Sequence, residues 1–233
     1  MERLLGAIVR ANNGMIRSVG AADPNPRPLA GLRWHDELRA ATPGIRREWL
    51  AFRDAGGRLP RIEDLLGEHQ GNSEVWAAGL LVSRGRPVEP IARHFPVTTA
   101  ALGRVPGLRS ALWSVLAPGA ELPAHRGPNA GVLRYHLGVV CRPGAVLEVE
   151  GRPTPYVEGE GILFDDTAEH AARNEAPSER VTLFCEILRP LPAGAGLTNS
   201  VVQRLLGLAP RYRGAARRAE AWDRSLNRAG AVR

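Results

Sequence analysis

The chain has 233 residues, 44% of them apolar, and its 31 basic residues are all arginine against 24 acidic ones, for a net charge of +7. That balance excludes a disordered or low-complexity chain, and no apolar run reaches the roughly eighteen residues of a membrane span. Two cysteines without metal-ligand spacing exclude a disulfide scaffold and a zinc ribbon.

The first twenty residues, MERLLGAIVRANNGMIRSVG, have arginines interrupting the apolar positions and no cleavage-type small-residue site. They predict an amphipathic helix rather than a leader, and a cytoplasmic protein. Residues 21–31 (AADPNPRPLAG) read as an irregular linker. The stretch from Leu32 to Gly56 predicts a helix pair broken at Thr42-Pro43, with Ile45, Trp49, Leu50 and Phe52 near one side. Pro60–Gly67 is a short helix between a proline start and a glycine stop. An apolar strand over 75–84 turns at Gly85-Arg86-Pro87, and a helix follows Phe95-Pro96, with Thr98 or Thr99 near its cap.

From Leu108 the texture changes to short β-rich runs separated by Gly/Pro turns: LRSALWSVLAPGAE, VLRYHLGVVC, AVLEVEG, PTPYVEG, EGILFDDT and RVTLFCEIL. Such a succession indicates an antiparallel sandwich or barrel. Cys141 and Cys185 sit inside these runs and read as buried free thiols. After Pro190-Leu191-Pro192 the chain returns to helix, at roughly 197–207 and 213–229. Residues 201–233 carry eight arginines against Glu220 and Asp223, a local charge of +6. Without interleaved aromatics this tail reads as a solvated helical face. It gives no nucleic-acid surface and at most weak contact with a membrane surface. The expected architecture is one domain over 1–233, mainly β with flanking helices: a largely helical part at 1–107, a β core at 108–191 and basic helices at 192–233.

Within the core, His125 stands at a strand end after Pro123, His170 follows FDDT, and Arg180 opens RVTLFCEIL. A ferrous oxygenase centre needs imidazoles on rigid strands and open positions for co-substrate and oxygen, and an arginine fixed on a strand pairs bidentately with a carboxylate. The usual third ligand, a carboxylate two residues after the first histidine, is replaced by Gly127. Strand alternation puts Arg134 and His136 on one face, with Leu133, Tyr135 and Leu137 on the other. An inward Arg134 needs a buried anion; the plainer reading places it on a solvent face beside a glutamate.

HRGP, RYHLG, FDDT-x-x-H, the arginine ten residues later and Arg189-Pro190 together resemble the aspartyl/asparaginyl β-hydroxylases. These are Fe(II)- and 2-oxoglutarate-dependent dioxygenases. The likeness is strongest over 108–191, and the IRREW and HFPVTTAAL segments are similar to the family's helical lead-in. The resemblance implies a double-stranded β-helix (jelly-roll, cupin-like) core, with iron on His125 and His170 and glycine where the third ligand would stand. It implies that Arg180, assisted by Ser114, holds the distal carboxylate of 2-oxoglutarate. His136 would contact that co-substrate, Arg134 would lie near co-substrate or substrate, and Asp165 and Asp166 would orient His170. O2 would be the oxidant and succinate the by-product.

For the substrate, Val132 stands where aspartyl members carry a first arginine, which makes the strand more similar to bacterial lipid A acyl-chain hydroxylases. The expectation favours the β-carbon of an amino-acid, peptidyl (Asp/Asn-type) or carrier-bound substrate in natural-product biosynthesis. A lipid acyl chain comes second, and a metal-free binding module on the same fold third.

Overall fold

Alternation along the last strand of the core divides the molecule into layers. In the computed structural model, which describes residues 2–19, 25–67, 75–209 and 214–222, helices α1 (Glu2–Ser18), α2 (Arg33–Asp54) and α3 (Ile62–Leu66) come first. Strands β1 (Trp76–Ser83) and β2 (Arg86–Pro87) and helices α4 (Glu89–Ala92) and α5 (Pro96–Leu102) follow. The core is β3 (Leu108–Leu116), β4 (Ala120–His125), β5 (Val132–Val140), β6 (Ala145–Val149), β7 (Arg152–Pro155), β8 (Gly161–Phe164), β9 (His170–Asn174) and β10 (Arg180–Leu188). Helix α6 (Ala193–Leu206) and a helix α7 over 214–222 end the described chain.

The strands form two antiparallel sheets, β2-β1-β3-β10-β5-β8 and β4-β9-β6-β7, giving the double-stranded β-helix, or jelly roll. Val181, Leu183, Cys185 and Ile187 of β10 point to the outer face of the larger sheet, where they meet Leu133, Tyr135 and Leu137 of β5 and the helices. The intervening residues, Arg180, Phe184 and Glu186, face the smaller sheet and line the cavity between the sheets. A second cluster, including Leu116, Leu122, Leu147, Tyr156 and Phe164, closes the space between the sheets. Each such fully buried large side chain contributes about 1.5–3 kcal/mol, so the sandwich is held from both faces of its larger sheet.

The structure differs from the expectations, or adds to them, at four places. The helix pair broken at Thr42-Pro43 is one continuous α2 with Pro43 inside it. Pro43 withholds one backbone bond, but Leu38, Thr42, Ile45 and Trp49 are all buried along one face, and that packing outweighs a missing N–H. At α5 Thr98 lies in the first turn, near the cap as expected, but the capping group is not a threonine. The carboxylate of Glu48 on α2 accepts hydrogen bonds from Val97 N (2.6 Å), Thr98 N (2.9 Å) and Thr98 Oγ1 (2.8 Å). This cap comes from 50 residues away, where no local pattern reports it. The polar HAARN segment, which is not among the predicted β-rich runs, is strand β9, and ELPAH forms β4 despite Pro123. Alanine, asparagine and proline carry little β propensity, so pairing between neighbours decides these two strands. Helix α6 begins at Ala193, ahead of the expected 197, and runs through Gly194 and Gly196.

Of the linker expected over 21–31, residues 21–24 lie outside the described residues, as do 223–229 of the last expected helix. Residue Arg27 is tied to the core through its N–H to Leu163 O at 2.7 Å. Both cysteines are free, Cys185 buried and Cys141 half-buried. Among the described residues no helix is long and apolar enough to cross a membrane.

Candidate active site

Strands β4 and β9 are antiparallel neighbours, and a slip in register after Leu122 sets His125 directly opposite His170. The two imidazole centroids lie 4.2 Å apart, with the rings inclined at 53°. Each ring is fixed by its own backbone: His125 Nδ1–H donates to Pro123 O and His170 Nδ1–H to Ala168 O, both at 2.9 Å. A carbonyl only accepts, so both rings are held as the tautomer whose Nε2 keeps its lone pair. Burial lowers the His170 pKa, and the nearby His125 adds to that effect against the hydrogen bond to Ala168. The ring therefore stays neutral, as a metal ligand must.

Deeper between the sheets is Arg180, only 2% exposed. Its guanidinium donates to Thr182 Oγ1 at 2.8 Å and stacks 4.7 Å above the Tyr156 ring, while Nε is buried with no hydrogen-bond partner. Among the described residues it has no carboxylate within ion-pair distance. A buried cation without a counter-charge is costly, and a ligand carboxylate is the group that balances it. On the neighbouring strand Ser114, the register partner of Thr182, accepts from Trp76 Nε1 at 3.0 Å. His136 shares a 2.9 Å hydrogen bond with the Tyr156 hydroxyl through Nδ1, and its Nε2 is buried and unpartnered. Burial, then Arg180, His170 and Arg134, hold the His136 pKa well below the ordinary imidazole range. Burial likewise pushes the Tyr156 hydroxyl up to about 12.

Arg134 has a different setting. It is turned inward as alternation predicts, but the anion it needs is the protein's own. Its Nε donates to Asp166 Oδ2 at 2.8 Å and its Nη1 pairs with Glu186, which also accepts from Ser110. Burial opposes both charges of the Arg134–Glu186 pair. Their mutual attraction outweighs it, raising the arginine pKa and lowering that of the glutamate. The solvent-face reading of Arg134 is thus corrected, and the guanidinium is neutralised before any ligand arrives.

Asp166 keeps Oδ1 buried and unpartnered. A Cβ on Gly127 would collide with this carboxylate, so glycine at this position leaves Asp166 its room. Asp165 forms the turn instead, accepting from Thr167 N (3.0 Å) and Thr167 Oγ1 (2.8 Å) and pairing with Arg189. Neither aspartate hydrogen-bonds His170, which is oriented by the Ala168 carbonyl. Among the described residues no three His, Cys, Asp or Glu side chains are grouped to hold a metal.

A single cavity of about 410 Å³ gathers Ser114, His125, Arg134, His136, His170 and Arg180. Its lining also includes Trp76 and the apolar side chains of Ile62, Leu66, Leu80, Leu112 and Leu206, together with Arg84 and Arg109. Sequence reasoning missed Tyr156, Trp76 and Glu186. The signal for Glu186 was present: it is an acid in an apolar strand, on the same face as Arg180 by alternation. Trp76 and Tyr156 meet the site only through the fold.

Residues 39–190 match the family described as aspartyl/asparaginyl beta-hydroxylase. An ornithine lipid ester-linked acyl 2-hydroxylase from Rhizobium tropici is 31% identical over 216 residues, covering 90% of this chain and 77% of that protein. The human aspartyl/asparaginyl beta-hydroxylase is 30% identical over 154 residues, covering 63% of this chain and 20% of that much longer protein. Among solved structures, a cupin 2 conserved barrel domain protein from Salinispora arenicola aligns over 57% of this chain at 14% identity, with a TM-score of 0.34.

Proposed function

The chain belongs to the aspartyl/asparaginyl beta-hydroxylase family, and from that premise we propose that it is an Fe(II)- and 2-oxoglutarate-dependent hydroxylase of a lipid acyl chain. The observation that carries the co-substrate half is Arg180, a guanidinium 2% exposed whose one hydrogen-bond partner among the described residues is the neutral Thr182. The paired Nε2 lone pairs of His125 and His170 suit a ferrous ion, and Arg180 with Ser114 suits the distal carboxylate of a keto-diacid. When bound, iron and 2-oxoglutarate supply the oxidising power to hydroxylate an unactivated C–H, with O2 consumed and succinate and CO2 released.

The chain's own groups do the positioning. The Pro123 and Ala168 carbonyls fix the tautomer of both imidazoles and leave each Nε2 with its lone pair. His136, held neutral, offers Nε2 to the co-substrate without repelling Arg180. Asp166, pinned by Arg134, leaves Oδ1 as an acceptor beside the histidines. Phe164 and Tyr156 line the pocket and exclude water. A metal-free module has no use for a buried cation left without a counter-charge.

Two observations favour an acyl substrate over the amino-acid β-carbon. The inward cation Arg134 beside the histidines is already matched by Asp166 and Glu186, and Ile62, Leu66, Leu80, Leu112 and Leu206 give the cavity much apolar lining, with Arg84 and Arg109 among them donating to the carbonyls of Gly207 and Gln203. The match to the acyl hydroxylase, at 90% of this chain, also reaches beyond residues 39–190 into both helical flanks. The test is substrate-stimulated succinate release with product mass analysis. Long-chain acyl esters or amides should stimulate turnover and gain one oxygen. Stimulation by acidic peptides, with no response to acyl compounds, would return the substrate to the amino-acid class.

A further inference from the structure

We propose that the outward faces of α1 and α6 form a docking surface for an anionic lipid bilayer. The observation is that α6 carries an exposed apolar row on its outward side, while amides and Leu206 face inward. Its outward row is Leu197, Val201, Leu205 and, just past its end, Leu208, with relative exposures of 69, 47, 46 and 51%. Asn199 and Gln203 are buried on the opposite side. A helix packed on a core normally does the reverse, and a contiguous exposed apolar row is the mark of an interaction surface.

The polar inner face explains why the row cannot turn inward. Asn199 Nδ2 donates to Gly131 O at 2.8 Å, and Gln203 exchanges hydrogen bonds with the Asn129 side chain at 2.9 and 3.1 Å. Helix α1 is seated on the same loop. Asn13 Nδ2 donates to Pro128 O at 2.8 Å, Ala130 N donates to Asn13 Oδ1 at 2.9 Å, and Asn12 Nδ2 bonds Asn199 Oδ1 at 3.0 Å. Gly131 has no Cβ because these amides occupy the space one would need. Both helices thus rest on residues 128–131 through their amide faces, and their other faces look away from that loop.

On α1 that other face carries Arg3, Arg10 and Arg17, exposed and seven residues apart, together with Leu4 at 65% exposure. Arg204 adds a charge on α6, and the pair contains one acidic residue, Glu2. An apolar row beside a cationic row with long apolar stems matches the interface of an anionic bilayer. A second copy would set the same arginines against each other. Pro128 and Asn129 of the supporting loop also line the cavity of the histidine pair, so docking would bring that cavity to the lipid surface. The inference uses only the outer faces of two helices and stands apart from the choice of substrate.

The test is flotation of the full chain with vesicles of phosphatidylcholine alone or mixed with phosphatidylglycerol. The parent protein should float with the anionic vesicles and little with the neutral ones. Leu197→Ser/Val201→Ser/Leu205→Ser should lower the partition coefficient roughly tenfold or more. Arg3→Gln, Arg10→Gln and Arg17→Gln should each lower it about fivefold. Uncoupled conversion of 2-oxoglutarate to succinate should be unchanged in all of them, which reports folding and tests the site reading separately. If the triple serine variant does not fold, the arginine variants decide the matter. No anionic-vesicle binding by the parent, or full binding by the variants, would overturn the proposal. So would a concentration-dependent dimer that the serine substitutions abolish, which would give the face to a second copy.

Discussion

Replacing Arg180 by methionine separates a ligand-binding cation from a structural one. The guanidinium is 2% exposed, its one hydrogen-bond acceptor among the described residues is Thr182 Oγ1, and it stacks on Tyr156. Losing the neutral hydrogen bond and the ring contact costs about 1–2 kcal/mol, offset by removal of a buried charge without a counter-ion. The metal-free variant should therefore unfold in urea within about 1 kcal/mol of the parent, or later. The complex behaves oppositely. Taking one partner from a buried carboxylate–guanidinium pair costs about 3–5 kcal/mol, so the dissociation constant for 2-oxoglutarate should rise about 10²–10³-fold or more. Anaerobic calorimetric titration of the Fe(II)-loaded protein with 2-oxoglutarate reads that constant. Unchanged affinity together with a stability loss above about 2 kcal/mol would refute the reasoning and make Arg180 a structural cation.

The pH dependence of stability follows from three imidazoles. Burial lowers the pKa of His35, His136 and His170 in the folded protein, so the unfolded chain takes up protons first as the pH falls. Urea midpoints of metal-free protein should decline as the pH drops from about 7 through the ordinary imidazole value near 6.5; a flat or rising profile would contradict the assignment. Gly127→Asp, which writes in the usual third ligand, should not tighten iron binding. The new side chain meets the Asp166 carboxylate, displaces it from Arg134 and destabilises the protein by about 1–3 kcal/mol, measured by urea titration beside iron affinity. Glu48→Ala removes the acceptor of three hydrogen bonds at the start of α5. It should lower stability by about 1–2 kcal/mol and Tm by about 2–8 °C, leaving succinate formation intact.

What the sequence made legible follows the length scale of each cause. Alternation in RYHLG put Arg134 and His136 on one face of β5, because a strand's period is fixed by its own backbone. Glycine at 127 and the His–His–Arg spacing were readable as a resemblance. The reason for that glycine, the carboxylate of Asp166 lying against it, needs coordinates. The cap on α5 by Glu48, the neutralisation of Arg134 by Glu186 and the ring of Tyr156 under Arg180 all join residues distant in sequence. The strands β4 and β9 were hidden for a related reason. Their residues prefer other states, and only pairing with each other and with β6 makes them extended.

The central claim is that His125 and His170 hold one ferrous ion beside a keto-diacid bound at Arg180. Succinate release from 2-oxoglutarate under air, with Fe(II) and ascorbate, tests it most directly in the parent and in His125→Ala/His170→Ala. The account predicts steady succinate from the parent and none above the protein-free background from the double variant. Equal turnover by both would contradict it.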